Sequence, residues 1–223
     1  MSGLGSVVVS GVAPVSQATI IMNRTMFDAV TGLPFMFDPN TASVSTNVTA
    51  GSTPYTYSSH YNLSDTAAAL AAASAVVGNG ATDITATTAA TVAQAAAIHA
   101  FTNEANFGIN HYNVSDTTAN LIAAPMPLYD GVGVLLDIGA VSDALNITAT
   151  TPASVAQAAI IDAFLNTGTN SYVLSDTAAN LAAATASVGH GATNIIATTL
   201  ATVAQATTIE GFAANAANTS YSL

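Results

Sequence analysis

Three aspartates, Asp130, Asp137 and Asp143, form a group of acidic residues that lies apart from the repeated motifs of this chain. Two carboxylates at a suitable separation are the catalytic pair of glycoside hydrolases. Their spacing along the chain does not show that the three side chains converge. We therefore predict that the protein is not an enzyme and keep hydrolysis of a polysaccharide as a third hypothesis.

Four histidines are the other residues that could do chemistry. His60 and His111 precede equivalent tyrosines, His99 lies in a predicted helix, and His190 lies between glycines. None has the two-histidine helical spacing of a zinc site. The chain also has no cysteine, no lysine for a phosphate-binding loop and no Gly-x-Ser-x-Gly turn. We expect surface histidines, no catalytic residue, no cofactor and no metal other than calcium.

A Ser-Asp pair occurs three times, each time between an apolar run and an alanine-rich run. Ser and Asp side chains accept hydrogen bonds from the free N–H groups of a first helical turn, so these pairs are predicted helix caps. The aspartates are also weak calcium candidates, because carboxylates ligate that ion. The predicted caps are Ser64, Asp65, Ser115, Asp116, Ser175 and Asp176, and the calcium candidates are Asp65, Asp116 and Asp176.

These pairs belong to an internal repeat with two halves. The first half reads YNLSDTAAAL at 61–70, YNVSDTTANL at 112–121 and YVLSDTAANL at 172–181. The second half reads ITATT at 84–88 and 147–151 and IIATT at 195–199, each followed by Val-Ala-Gln-Ala. We call them the Asp half-repeat and the Gln half-repeat.

Each half predicts a short strand followed by a capped helix with one apolar face. Such a unit cannot bury its apolar face alone, so stacked copies are expected to form an α/β solenoid, with a parallel sheet on one side and short helices on the other. Gln94, Gln157 and Gln205 are expected to hydrogen-bond between neighbouring copies.

The repeats predict two regions. Residues 1–60 show no match to the repeat and contain β-favouring runs at 6–9, 18–22 and 43–48, so they are predicted to be a β-rich cap or assembly segment. Residues 61–223 are the predicted solenoid, with repeats 61–111, 112–171 and 172–220 and a terminal partial strand, 221–223. An insertion in the second repeat lies between Leu121 and Leu145, where Pro and Gly break the helix.

Composition excludes several classes of partner. Twelve acidic residues oppose one basic residue, Arg24, and the formal charge of −11 repels nucleic acid and anionic membranes. No stretch has the 18 or so apolar residues that a membrane span needs, so we expect no membrane insertion. Charged residues make up only 6% of the chain, and a surface with so little charge favours association between copies.

The motif SDTAANL at 175–181, with its counterparts at 64–70 and 115–121, resembles the strand-to-helix repeats of large bacterial secreted and surface proteins, many of which are associated with type I export. This resemblance covers about three quarters of the chain. It implies an extracellular or cell-surface location and an adhesive, matrix, filament or surface-layer role. It implies no catalytic residue.

We therefore predict a structural protein that assembles head to tail with itself by adding β-strands between subunits. The predicted assembly residues are Val7, Val8, Val9, Tyr221, Ser222 and Leu223. The alternative is a monomeric secreted adhesin or binding module that uses the insertion at 122–145. Glycans are a further candidate partner, because Asn-x-Ser/Thr sequons occur at Asn23, Asn47, Asn62, Asn113, Asn146 and Asn218.

Overall fold

The structure is a computed structural model of the 223-residue chain. It describes residues 8–22, 26–27, 34–35, 60–103, 110–130, 132–133, 135–212 and 218–223. The chain forms two compact units, residues 1–88 with 100–111, and residues 89–99 with 112–223. These units do not coincide with the predicted segments 1–60 and 61–223.

Two parallel sheets, one in each unit, confirm the α/β class. The strands are β1 (Val8–Ala13), β2 (Met26–Phe27), β3 (Pro34–Phe35), β4 (His60–Asp65), β5 (Ile84–Ala86), β6 (Asn110–His111), β7 (Val114–Asp116), β8 (Leu128–Tyr129), β9 (Leu135–Asp137), β10 (Ile147–Ala149), β11 (Asn170–Asp176), β12 (Ala192–Ala197) and β13 (Asn218–Ser220). The first sheet has the order β1-β4-β5-β6, and the second has the order β13-β12-β11-β10-β7. The pairs β2–β3 and β8–β9 are antiparallel.

Short helices follow the strands, as the repeat predicts. They are α1 (Val15–Met22), α2 (Ala67–Ala71), α3 (Ala75–Asn79), α4 (Val92–His99), α5 (Thr118–Ile122), α6 (Val155–Asp162), α7 (Ala178–Ala182), α8 (Ala186–Gly191) and α9 (Val203–Phe212). Helices of this length are not stable alone in water, so their stability comes from packing and from their caps.

The same apolar positions of each half-repeat form the core of each unit. In the Asp half-repeat these are the tyrosine, the strand Leu or Val and the helix Leu, as in Tyr172, Leu174 and Leu181, all with at most 1% exposure. In the Gln half-repeat they are the strand Ile and a helix Ile, as in Ile147 and Ile161. The strand-then-helix pattern of the sequence therefore does place these residues on the buried side.

The first described residues form another Gln half-repeat, which corrects the expectation that residues 1–60 do not match the repeat. The sequence VAPVSQA at 12–18 carries the Ala, Val, Gln and Ala of PASVAQA at 152–158. Residues 18–22, predicted as β-favouring, lie in α1. The strand pairings agree with this assignment: Val8 with His60 and Ala13 with Leu63 in this half-repeat, and Thr85 with His111 and Ala90 with Val114 in the next.

The insertion of the second repeat forms a β-hairpin. β8 and β9 pair antiparallel, with Leu128 opposite Asp137. We refer to residues 128–137 as the hairpin. It lies between α5 and β10, where the other two repeats have a second short helix, α3 or α8.

Buried tyrosines fix this segment of each repeat to the sheet. The phenol of Tyr61 donates to the carbonyl of Val77 in α3 at 2.6 Å, and the phenol of Tyr172 donates to Val188 in α8 at 2.9 Å. In the second repeat, Tyr112 donates to Ala140, just after the hairpin, at 2.6 Å. Burial raises the pKa of Tyr61 to about 12, so its phenol remains a donor at neutral pH.

A glycine in the second helix of the first and third repeats, α3 or α8, lies against a phenylalanine of the Gln half-repeat. Gly78 faces the ring of Phe101, and Gly189 faces the ring of Phe212. A Cβ at either glycine would lie inside the contact distance of the ring, so these positions require glycine for close approach rather than for an unusual backbone angle.

Gly189→Ala is expected to destabilise the protein by about 1–3 kcal/mol, because the new methyl group overpacks the contact with Phe212. The measurement is the free energy of unfolding from urea titration. Gly211→Ala is the matched control, since that helical glycine has no neighbouring atom within 4 Å of an added Cβ. It is expected to raise stability by roughly 0.5–1 kcal/mol. Equal effects of the two variants would contradict the packing argument.

Candidate functional site

The residue that caps the helix of each Asp half-repeat is the threonine after the predicted Ser-Asp pair. Thr66, Thr117 and Thr177 have extended backbone angles, and each side chain accepts a hydrogen bond from the N–H three residues later. The predicted caps Ser64, Asp65, Ser115, Asp116, Ser175 and Asp176 are therefore displaced from these helices. They lie in strands β4, β7 and β11, which continue through the aspartate.

The aspartates instead bind the start of a helix from an earlier half-repeat. Oδ2 of each accepts from the first N–H of a Gln half-repeat helix, and Oδ1 accepts from the N–H of the following threonine. The Oδ2 partners are Val15 for Asp65 (3.2 Å), Val92 for Asp116 (2.9 Å) and Val155 for Asp176 (3.0 Å). Each aspartate thus joins its own strand to a helix that lies 21 to 50 residues earlier in the chain.

Threonines of the Gln half-repeats do the same for the Asp half-repeat helices. The first N–H of α2, α5 and α7 donates to the hydroxyl of the last threonine in the Ile-x-Ala-Thr-Thr motif. The pairs are Ala67 with Thr88, Thr118 with Thr151 and Ala178 with Thr199, each at 3.0 Å. Both kinds of half-repeat therefore supply a side chain to the helix of the half-repeat before it.

The glutamine of each Gln half-repeat forms hydrogen bonds at the start of its own helix. Gln94, Gln157 and Gln205 each accept from the backbone N–H three residues earlier, while that residue's hydroxyl accepts from the glutamine N–H. This reciprocal pair is a capping box. The prediction that these glutamines hydrogen-bond between copies is wrong, because their side chains fold back onto their own helix.

Hydrogen bonding lowers the pKa of Asp116 and Asp176. Burial alone raises the pKa of each, but bonds from an asparagine side chain and from two backbone N–H groups outweigh it. The asparagines are Asn120 and Asn180, four residues further along. Both carboxylate oxygens of Asp65, Asp116 and Asp176 accept from N–H donors, and calcium binding at these residues stays a prediction.

Three predicted assembly residues, Tyr221, Ser222 and Leu223, follow β13; the terminal strand predicted at 221–223 lies at 218–220 instead. β13 pairs with β12, and Ser222 accepts from Ala201 N–H at 2.7 Å. Leu223 is 71% exposed, and the phenol of Tyr221 is held by Glu210, a hydrogen bond that raises the pKa of Tyr221. Val8 and Val9 lie in β1, the edge of the first sheet, whereas Val7 lies outside the described residues.

Two backbone groups in the residues after β13 lack backbone partners among the described residues. In the other Asp half-repeats the tyrosine carbonyl and the N–H two residues later bond to the following Gln half-repeat. These bonds are Thr82 N–H to Tyr61 O, Leu63 N–H to Asp83 O, Leu145 N–H to Tyr112 O and Val114 N–H to Asn146 O, all at 2.8 Å. The equivalent groups are the carbonyl of Tyr221 and the N–H of Leu223, and they have no backbone partner among the described residues.

A second cluster joins His99, at the end of α4, to two of the three grouped aspartates. His99 Nδ1 lies 3.2 Å from Asp143 Oδ2, and Nε2 lies 3.3 Å from Asp137 Oδ1. Asp137 also accepts from Gly139 N–H at 2.8 Å. Asp130 bonds to Val132 N–H in the hairpin turn and is not a third member. The sequence grouped the acids but gave no sign that His99, 38 and 44 residues earlier, lies between them.

In this cluster the imidazole of His99 contacts both carboxylates. The hydrogen bond with Asp143 raises the pKa of His99; burial opposes this, and the contact with Asp137 adds to it. Gly139 N–H and then His99 lower the pKa of Asp137. The arrangement is that of an ion pair rather than of a general acid and a nucleophile.

The hairpin beside this cluster and the residues just before it expose apolar side chains. Met126, Leu128, Tyr129 and Val132 are 42%, 57%, 48% and 85% exposed. Isolated exposed apolar residues are common, but four within seven residues of one loop form a candidate contact surface.

Among the described residues, no group of three His, Cys, Asp or Glu side chains is arranged to hold a metal ion. No helix in the described ranges is long and apolar enough to span a bilayer. Comparison of the chain with models of protein families, with curated proteins and with solved structures found no match.

Asp176→Ala is expected to lower the free energy of unfolding by about 1–2 kcal/mol at neutral pH, because it removes the cap on α6. Because the pKa of Asp176 is lowered in the folded protein, its contribution is present above the ordinary aspartate pKa. It is lost as pH falls through the folded pKa, so the difference between variant and wild type should vanish in acid. Urea titration at several pH values measures this difference.

Ser175→Ala is the control for this prediction. The two residues are neighbours in β11, but the Ser175 side chain caps no described helix. We expect a change within about 0.5 kcal/mol. A Ser175→Ala effect as large as that of Asp176→Ala would restore the serine as a cap.

Proposed function

We propose that this protein is an extracellular structural protein that assembles head to tail by adding strands between subunits. The observation that supports it is the pair of backbone groups, Tyr221 C=O and Leu223 N–H, that have no backbone partner among the described residues. Unpaired edge groups of this kind recruit strands from other chains. The resemblance of the repeat to those of secreted surface proteins supports the extracellular setting, where the six sequons would be candidate glycan sites.

The types of strand at the two edges favour a second copy of the chain as the partner. Within each sheet, strands of Asp and Gln half-repeats alternate: β4 lies between β1 and β5, and β11 lies between β10 and β12. β13 belongs to an Asp half-repeat, so its open side fits a strand from a Gln half-repeat. β1 is such a strand, and one of its sides has no strand partner among the described residues.

The proposal extends the α/β fold to a solenoid in which the alternation of half-repeats continues through the whole chain. It is supported by the order of the half-repeats in sequence and by the side chains of the next half-repeat that accept from the first N–H of α2, α4, α5, α6 and α7. A contact between unlike edges is heterologous and gives an open filament if successive rotations do not close a ring.

Leu223→Pro is expected to abolish assembly while leaving the fold intact. Proline removes the N–H of residue 223, whereas the bond from Ala201 N–H to Ser222 O is retained. Electron microscopy and light scattering at neutral pH, with and without a calcium chelator, should show polymers for the wild type and a particle of 22.1 kDa for the variant.

Leu223→Ala is the matched control, since it shortens the exposed side chain and keeps the N–H. It should assemble like the wild type. If Leu223→Ala also fails to assemble, the contact is made by side chains and not by strand addition. A monomeric wild type in both buffers, or a Leu223→Pro variant that forms normal polymers, contradicts the proposal.

The exposed apolar hairpin favours a second candidate, a monomeric adhesin or binding module that uses residues 122–145. Leu128→Ser combined with Val132→Ser is then expected to reduce retention of the protein on an alkyl-agarose column, because both side chains are exposed. Leu200→Ser is the control, since Leu200 is 72% exposed but lies outside the hairpin. A stable monomer whose retention depends on the hairpin alone would support this candidate, and equal losses in the two variants would exclude the hairpin as a special surface.

A further inference from the structure

His99 is held on both sides of its ring, and this favours its protonated state. Its two nitrogens face two different carboxylates, Asp143 at 3.2 Å and Asp137 at 3.3 Å. Neutral imidazole has one N–H and one lone pair, so it can donate to only one of them. The pair of contacts is satisfied only by the imidazolium cation.

The position of His99 on its helix also favours the cation. It is the last residue of α4, where the unsatisfied carbonyl groups place partial negative charge. The other titratable groups that face it are acidic or phenolic: Asp143 from the turn after the hairpin, Asp137 from the end of β9 and, through Asp143, the buried Tyr112. Asp116 bonds to the opposite end of α4.

The two carboxylates differ in how firmly they are held. The side chain of Asp143 is 34% exposed and lies beside Tyr112, whereas that of Asp137 is 58% exposed and ends the hairpin. When His99 loses its proton, one ring N–H remains. We expect it to donate to Asp143, because that carboxylate is the closer and less exposed of the two. The Nε2 lone pair then faces Asp137 Oδ1, and an attraction becomes a repulsion.

We propose that His99 and Asp137 form a proton-controlled latch that holds the hairpin base against α4 and releases it when His99 loses its proton. The latch acts on a defined element, since Asp137 is the residue of β9 that pairs with Leu128 of β8. The protonation state of His99 therefore controls how mobile the hairpin is, and with it the exposed apolar residues that the hairpin carries. It does not depend on whether the protein assembles through its sheet edges.

The sign of the pH dependence follows from the raised pKa of His99. The stabilisation by the latch is complete below the ordinary histidine pKa and is lost as pH rises through the higher value in the folded protein. The histidine pKa values can be measured by NMR titration of the imidazole signals, with the His99 signal assigned by its absence in His99→Gln.

Hydrogen exchange of the backbone amides in β8 and β9 tests the latch. Protection, corrected for the intrinsic pH dependence of exchange, is expected to fall roughly two- to fivefold as pH rises through the His99 titration, as the loss of a partly exposed ion pair would produce. In His99→Gln, protection should be low at every pH. In Asp137→Asn, which keeps an acceptor for Gly139 N–H, the pH dependence should disappear.

His190→Gln is the control, because His190 lies in α8 and its ring stands edge-on to that of Phe212. It should retain the wild-type pH dependence. Amides of β11, far along the chain from the hairpin, report whether any variant loosens the whole unit. Unchanged hairpin protection while His99 titrates, or pH dependence that persists in His99→Gln, would overturn the proposal.

Discussion

The fold depends on one interaction, the hydrogen bond from the first N–H of a helix to a side chain supplied by the next half-repeat. The free N–H groups of a helix start need partners, and a five-residue helix is too short to be stable without such bonds and the packing that goes with them. Asp65, Asp116 and Asp176 provide this bond for the Gln half-repeat helices, and Thr88, Thr151 and Thr199 provide it for the others. The bond explains why a chain with 12 acidic residues commits three of them to equivalent positions.

The class of the fold was predictable because it depends on local pattern. Short apolar runs, hydroxyl residues and alanine-rich runs recur, and they do form strands, caps and helices in that order. The choice among Ser, Asp and Thr as the cap was not predictable from local rules, since all three accept hydrogen bonds from a helix start. The length of the strand decides it: β4 continues through Asp65, so Thr66 is the residue at which the chain turns into the helix.

The candidate sites show the same division between local and distant information. The capping boxes of Gln94, Gln157 and Gln205 follow the local pattern Ser/Thr-x-x-Gln, so they were predictable from the sequence. The half-repeat at 12–18 contains the Val-x-Gln-Ala motif. Pro14 and the isoleucines that follow it favour a β-strand prediction, and this hid the motif. The His99 cluster is different, because its members lie 38 and 44 residues apart and meet only through the packing of α4 against the inserted segment.

The tyrosine of the Asp half-repeat shows what the architecture tolerates. Its phenol requires one carbonyl in place, and it finds that carbonyl 16 residues later in the first and third repeats and 28 residues later in the second. Between these two points the strand, the aspartate and the first helix recur in every repeat, and only the segment after that helix changes, from a short helix to a β-hairpin with exposed apolar residues. Each repeat therefore contains a variable segment whose sequence and structure can change without disturbing the sheet. The same position in the first or third repeat is a suitable place to graft a foreign peptide.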